Sequence, residues 1–172
     1  MKIVIITPRV PKILDKGDKL RIFYQIKYLS CLHDIHLISL SSSSELKINK
    51  ELKKYLKSFH LIHTTKIDRF LNLIYHTIIN KFPLQISYYY SKKNHKKIND
   101  TIDIIKPDFI YCQLIRTTEF VKKRAEKKII DYMDCFSLGL IRRSEKSNLL
   151  MKLIVLFEYK RVRKYESNIF NY

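Results

Sequence analysis

Glycine is nearly absent from this chain, which holds only two glycines in 172 residues, Gly17 and Gly139. The phosphate-binding loops of P-loop proteins and of dinucleotide-binding proteins need two or three glycines within a few positions of one another. Neither the G-x-x-x-x-G-K pattern nor the G-x-G-x-x-G pattern occurs here. Nucleotide binding by either of these loops is therefore excluded.

Cysteine is also scarce, and Cys31, Cys112 and Cys135 are far apart in the sequence. An odd number of scattered cysteines with no C-x-x-C pair argues against a disulfide framework and against a zinc site, and it favours a reducing, cytoplasmic compartment. Four of the six histidines form two pairs, His33/His36 and His60/His63, which are each three residues apart and straddle predicted strands. Residues at this spacing in a strand point to opposite faces of the sheet. Neither a metal nor a resident cofactor is expected.

Long apolar runs are missing as well. The nearest candidate, 149–157, is interrupted by Lys152 and is far shorter than a membrane span. The apolar stretch at 2–7 is too short for a signal peptide and leads into a Pro-Arg-Val-Pro segment. The sequence predicts a protein that is soluble or lies on a membrane surface.

Acidic residues are few: the chain contains 16 Asp and Glu but 34 Lys and Arg, which gives a formal net charge of +18. Such a charge predicts attraction to nucleic acid, to anionic lipid or to phosphorylated ligands. The chain is rich in Lys, Ile, Asn and Tyr throughout, so arginines are better functional indicators than lysines. No nucleic-acid-binding motif accompanies the charge, and we expect no nucleic acid partner. The basic and aromatic segment Lys160–Tyr165 suits an anionic membrane surface.

Short apolar segments and helical patterns alternate along the chain. The predicted strands are 2–7, 34–40, 59–64, 108–113 and 128–133. The first predicted helix starts near Gly17 and Asp18 and carries Ile22, Ile26 and Leu29 on one stripe. The other predicted helices are 45–57, 68–80, a further helix ending near 105, 117–126 and 149–169. This order predicts an α/β fold: a doubly wound, mostly parallel, Rossmann-like sheet of about five or more strands with helices on both faces. The length indicates a single domain, 1–172.

The loop after the first strand is the first candidate site. In an open α/β sheet this loop faces the ligand crevice, and the helix that follows presents free N–H groups. Gly17 would permit close approach of a ligand, Asp18 would cap the helix or bind a hydroxyl, and Arg21 would reach an anion. The alternative is a plain turn with an N-cap.

Polar residues also follow the fourth and fifth strands. Gln113 and Arg116 either face the ligand or form a helix cap with a surface arginine. Asp131 interrupts an apolar strand, where a carboxylate is costly unless it is bonded, so we expect a structural acceptor there. Asp134 is the better candidate for acid/base work or hydroxyl binding.

These segments together resemble the amino-terminal domain of GT-B glycosyltransferases of the family 4 type, which build bacterial capsule, exopolysaccharide and lipopolysaccharide. The resemblance covers nearly the whole chain, in order. The matching segments are Pro11–Arg21 (with K-G-D-K-x-R), Asp34–Leu37, Pro83–Tyr89, Gln113–Arg116, Asp131–Ser137 and Tyr165–Glu166.

The resemblance implies a function. In that family the amino-terminal domain binds an acceptor, often lipid-linked, and a second Rossmann-like domain binds the nucleotide-sugar donor. Transfer takes place between the two domains, usually with retention of configuration and without a metal. Asp134 matches the position where many relatives carry a histidine that touches the donor sugar, and it is the catalytic candidate. The implied donor- or acceptor-binding residues are Gly17, Asp18, Arg21, Gln113, Arg116 and Ser137.

The 172 residues show no second Rossmann-like domain, so on this resemblance the carboxy-terminal donor-binding domain is absent and the chain alone is inactive. The last predicted helix has nothing after it to dock against, which indicates an isolated domain, a truncated product or half of a two-subunit enzyme. The implied partners are a nucleotide-sugar, a glycan or polyprenyl-linked acceptor and the inner face of the plasma membrane. The rival interpretation is a non-catalytic acceptor- or membrane-docking domain, or a remnant partner subunit.

Overall fold

A five-stranded, all-parallel sheet forms the centre of the molecule. The computed structural model describes residues 1–12, 15–42 and 48–169. The strands are β1 (Lys2–Thr7), β2 (Asp34–Ser41), β3 (Ser58–His63), β4 (Phe109–Gln113) and β5 (Lys127–Asp131). Their spatial order is β3-β2-β1-β4-β5, and helices flank the sheet, which confirms the predicted Rossmann-like α/β fold.

Helices connect the strands. They are α1 (Gly17–Leu29), α2 (Lys50–Lys53), α3 (Lys66–Ile78), α4 (Leu84–Tyr89), α5 (Lys92–Ile105), a 3₁₀ helix (Ile115–Phe120), α6 (Phe136–Glu145) and α7 (Leu149–Asn168). Within the described ranges, no helix is long and apolar enough to cross a bilayer.

Each face of the sheet carries its own apolar core, because successive side chains of a strand point to opposite sides. On one face Ile3 and Ile5 of β1 pack with residues of α1 and α2. On the other face Val4 and Ile6 pack with Ile98 and other residues of α5. Each such fully buried side chain stabilises the fold by about 2 kcal/mol. The sheet is therefore covered on both faces, as its nearly continuous apolar strands predict.

The helix bounds differ from the predictions in several places. The helix predicted at 45–57 is described only as α2, which begins after Asn49, whose side chain accepts the N–H groups of the next turn; residues 43–47 lie outside the described ranges. The helix predicted to run to 105 is interrupted, because Tyr90 and Ser91 adopt extended backbone and Ser91 caps α5. The helix predicted at 117–126 is the shorter 3₁₀ helix, and α6 was not predicted.

The last helix, α7, ties two other helices to the body of the molecule. The Glu158 carboxylate accepts the backbone N–H of Leu84 at 2.6 Å, at the start of α4. The Glu166 carboxylate accepts the N–H of Phe136 at 2.9 Å, at the start of α6. Carboxylates at helix N-termini satisfy donors that have no partner inside the helix and interact favourably with the helix dipole. The two glutamates are therefore fixed structural contacts.

Candidate functional site

The candidate residues converge where the strand order reverses. β1 lies between β2 and β4, so its carboxyl end is the switch point at which open α/β sheets bind ligands. Gly17 and Asp18 begin α1 beside this point, and Gln113 is the last residue of β4. Arg116 follows on the 3₁₀ helix, and Asp134 lies between β5 and α6. We call the edge formed by these five residues the rim.

Arg21 is paired with a carboxylate of the protein, although 51% of its side chain is exposed. Its guanidinium donates two hydrogen bonds of 2.9 Å to the carboxylate of Asp131. Tyr111 donates its hydroxyl to the same carboxylate at 2.6 Å, and Gln25 donates at 3.3 Å. Burial on its own raises the pKa of Asp131, but the bonds from Tyr111 and Arg21 outweigh it and hold that pKa below its ordinary value. Asp131 thus fills the structural role expected of it, and its charge neutralises Arg21.

Gln113 and Asp18 join the start of α1 to the end of β4. The Gln113 side chain is 2% exposed and donates its amide to the backbone carbonyl of Asp18 at 2.6 Å. The Asp18 carboxylate accepts a hydrogen bond from Arg9 at 2.6 Å. Gly17 next to it is exposed, with no atom within 4 Å of where a Cβ would lie, and its φ is not positive. The glycine leaves open space above the first turn of α1.

Arg116 differs from Arg9 and Arg21, the two arginines near the rim that pair with carboxylates. In the part of the chain that the structure describes, no carboxylate lies within 4.0 Å of its guanidinium. Its Nε donates to the Gln85 side chain at 2.8 Å. Burial lowers the pKa of Arg116, which indicates a cation taken partly out of water without a full counter-charge. A phosphate or diphosphate would supply that charge.

Aromatic rings surround this cation. The guanidinium carbon lies 5.6 Å from the ring centre of Tyr89 and 5.0 Å from that of Phe136. A cavity of about 320 Å³ opens beside it. The cavity is lined by Leu73, Leu84, Gln85, Tyr88, Tyr89 and Arg116. A half-buried cation, an amide and two tyrosines around one cavity suit a ligand that joins an anion to a hydroxyl-rich ring.

A strained residue precedes Arg116 at the rim. Leu114 has φ 63° and ψ 160°, a region that glycine occupies and other residues rarely do. Its backbone N–H donates to the carbonyl of Asp131 at 3.0 Å, and its side chain is buried. Such strain costs about 1–3 kcal/mol and persists only where the surroundings hold it. Backbone strain of this kind is typical of functional sites. The strained residue here lies between Gln113 and Arg116 in the sequence.

Asp134 and Ser137 are placed differently. Asp134 is exposed, and its charge is near enough to raise the pKa of Arg116. Ser137 is buried, and its backbone N–H lies 3.4 Å from a carboxylate oxygen of Glu166. The α6 N-terminus is thus already occupied by an internal carboxylate, whereas Asp134 is open to a ligand hydroxyl.

His36 and His60 belong to a hydrogen-bonded group on the sheet. The Ser58 hydroxyl on β3 is hydrogen-bonded to Nδ1 of His36 on β2 and to Nε2 of His60 on β3, each at 2.8 Å. The two histidine rings therefore lie on the same face of the sheet. Burial lowers the pKa of both rings. No group of three or more His, Cys, Asp or Glu side chains that could hold a metal ion occurs within the described ranges.

Sequence reasoning missed several residues around Arg116. Arg9, Gln85 and Phe136 were not candidates, although Arg9 follows the first strand and Gln85 lies in a segment that carries the resemblance. The position of Arg9 at a carboxyl strand end was a usable signal, while the approach of Gln85 and Phe136 depends on tertiary packing. Neither a scan of the chain against protein-family models nor a search of curated proteins finds a match.

Proposed function

We propose that this chain is the acceptor-side domain of a sugar transferase that moves a sugar from a nucleotide-sugar to a lipid-linked glycan acceptor. Transferases of this kind build capsule, exopolysaccharide or lipopolysaccharide. The observation that carries the proposal is Arg116: a half-buried cation at the sheet switch point, without a carboxylate partner among the described residues and beside an aromatic cavity. A diphosphate attached to a sugar has the charge and the hydroxyl groups that this rim would recognise.

The contacts support a different role for each of the candidate residues in this proposal. Arg116 is the group that would bind a diphosphate, because the charge of Arg21 is already neutralised by Asp131. Gly17 leaves room for the ligand at the start of α1, where backbone N–H groups favour anions. Asp134 is the exposed carboxylate that would accept a sugar hydroxyl. Gln113 acts through Asp18 and is a positioning residue.

Sugar transfer on this proposal needs a nucleotide-sugar-binding unit, supplied by further chain or by a partner subunit. With retention of configuration, the chemical demand is stabilisation of positive charge on the sugar and negative charge on the leaving diphosphate. On this proposal Arg116 would hold the diphosphate of the acceptor, and the nucleotide-sugar-binding unit would stabilise the leaving diphosphate. The place of action would be the cytoplasmic face of the plasma membrane, where a polyprenyl-linked acceptor presents its diphosphate.

Binding by the isolated chain tests the proposal. Calorimetry should measure affinities for inorganic pyrophosphate, for a panel of nucleoside diphosphate sugars and for a water-soluble, short-chain polyprenyl diphosphate sugar. We expect the polyprenyl diphosphate sugar to bind more tightly than pyrophosphate. Arg116→Gln should weaken that binding roughly tenfold or more, because a charge-assisted contact at a half-buried site is lost.

Arg142→Gln is the matched control, because Arg142 is exposed on α6 and its replacement removes the same charge. Affinity for the polyprenyl diphosphate sugar should stay within about twofold of the wild-type value in this variant. Equal losses in both variants would show that overall charge alone attracts the ligand and would contradict the site. Absence of wild-type binding to all of these probes would overturn the acceptor role.

A further inference from the structure

The helix α3 is oriented with its apolar side outward. An amphipathic helix of a globular protein normally turns its apolar stripe toward the core. In α3 the buried residues are Arg69 and His76. The large apolar side chains that it exposes are Ile67, Phe70, Leu71, Ile74, Tyr75 and Ile78. These positions follow helical spacing, so they form one continuous stripe facing away from the protein.

Specific contacts fix this orientation. The Arg69 guanidinium lies 5.5 Å from the ring centre of Tyr88 and 5.2 Å from that of Tyr89, both on α4. The His76 ring stacks on Phe82 at 6.1 Å, and its Nδ1 bonds the Asn80 amide at 3.0 Å. Rotating α3 to bury its apolar stripe would break these contacts and expose their partners. The outward stripe is therefore a property of the fold.

The first half of α7 adds a second exposed apolar stripe. Its members are Leu149, Leu150, Leu153, Ile154 and Phe157. A groove of about 700 Å³ joins the two stripes, and both Ile78 and Phe157 line it. Arg161 holds α7 to the end of α3 by donating to the backbone carbonyls of Thr77, at 3.0 Å, and Phe82. The two stripes thus meet at this groove, and we call the surface that they form together the α3–α7 face.

The charges on this face select its partner. Lys81, Lys122, Arg161 and Lys164 line the groove. Glu119 pairs with Lys122 and Glu158 pairs with Arg161, each at 3.7 Å, whereas no carboxylate of the described residues lies within 4.0 Å of the Lys81 or Lys164 amine. Further lysines are exposed at the start of α3 and within α7. A second copy of the chain carries the same net charge of +18 and would be repelled. Apolar stripes rimmed by lysine and arginine match an anionic bilayer surface, where apolar side chains enter the acyl region and cations contact phosphate.

We propose that the α3–α7 face is a membrane-binding surface that lies in the interface of an anionic lipid bilayer, with both helices parallel to the membrane plane. The contact needs neither a sugar nor a nucleotide, so it is independent of the sugar-transfer proposal. α3 also supplies Leu73 to the cavity beside Arg116. The membrane face and the rim cavity therefore share a helix.

The chain contains no tryptophan, so a single introduced tryptophan reports on one position only. Phe70→Trp and Phe157→Trp place it on the two stripes, and Tyr28→Trp places it on exposed α1 as the matched control. The probe is a vesicle of equal parts phosphatidylglycerol and phosphatidylcholine. We expect a blue shift at positions 70 and 157 and quenching there by lipids brominated along the acyl chains, with neither effect at position 28.

Two glutamate substitutions test the proposal without an introduced tryptophan. Ile74→Glu and Leu153→Glu alter exposed side chains, so the fold should tolerate them. Each should weaken binding to the anionic vesicles roughly tenfold or more, because an apolar contact is lost and a like charge is introduced. Equal quenching at positions 28, 70 and 157, unchanged binding in the glutamate variants, or equal binding to pure phosphatidylcholine would overturn the proposal. A blue shift at positions 70 and 157 that grows with protein concentration without lipid would also overturn it, in favour of self-association.

Discussion

Asp131 shows how one buried carboxylate holds distant parts of the sequence together. It accepts hydrogen bonds from Arg21, Gln25 and Tyr111, and its side chain is 7% exposed. We expect Asp131→Asn to lower the free energy of unfolding by about 2 kcal/mol at neutral pH, because charge-assisted bonds are replaced by weaker ones. Urea unfolding measures this change.

The same residue predicts a pH dependence of defined sign. The pKa of Asp131 in the folded protein lies below the ordinary value of 3.8, so its stabilisation is complete above that value. The stabilisation is lost as the pH falls through the lower folded-state pKa. The gap between the wild type and Asp131→Asn should therefore close in acid. Asp100→Asn, at an exposed position of α5, should show little change at any pH, and a gap between the wild type and Asp131→Asn that does not narrow as the pH falls below 3.8 would contradict the ion pair.

At the scale of the helix, the backbone conformation at the carboxyl end of α5 is unfavourable for the residue that occupies it. Lys106 follows its last residue in a left-handed conformation, φ 52° and ψ 66°, and donates its N–H to the carbonyl of Ile102 at 2.8 Å. This conformation costs a residue with a Cβ about 1–2 kcal/mol, and glycine adopts it freely. Because Lys106 is exposed, Lys106→Gly should raise the free energy of unfolding by about 1 kcal/mol.

Lys106→Ala separates the backbone effect from loss of the lysine charge. Alanine keeps the Cβ and hence the strain, so this variant should show no such gain in urea unfolding. Equal stabilisation by both substitutions would point to relief of charge repulsion, and the conformational argument would fail.

Local patterns predicted some elements better than others. The five strands follow from short apolar runs, and each observed strand lies within two residues of its predicted ends. The break between α4 and α5 falls at Tyr90 and Ser91, without glycine or proline to mark it. In the helix predicted at 68–80, the spacing predicts a stripe of Phe70, Leu73, Ile74 and Thr77. The spacing does not predict which way that helix, α3, faces, because its orientation depends on aromatic partners of Arg69 and His76 from other segments.

At the scale of the molecule, the strand order explains which part of the site was predictable. Residues at carboxyl strand ends must share one edge of a parallel sheet, so Gln113 and Arg116 could be assigned there from the sequence. Which arginine remains available to a ligand could not be assigned. Arg21 finds its carboxylate 110 residues away, a pairing that depends on packing of α1 against β5. The residues near Arg21 in the sequence therefore could not predict this contact.

Protonation of partly buried histidines acts on the whole molecule. Burial lowers the pKa below the ordinary 6.5 for His36, His60, His76 and His95. The unfolded chain therefore binds protons first as the pH falls, so stability is complete above pH 6.5 and is lost as the pH passes through the lowered values. The added charge also increases repulsion within a chain already at +18. His76 is 2% exposed, so His76→Gln should flatten the fall in the free energy of unfolding, by at most about 1.4 kcal/mol per pH unit for one proton, measured by urea unfolding from pH 7 to pH 5. His63→Gln, at an exposed position, should leave the fall unchanged, and equal flattening in both variants would contradict the role of burial.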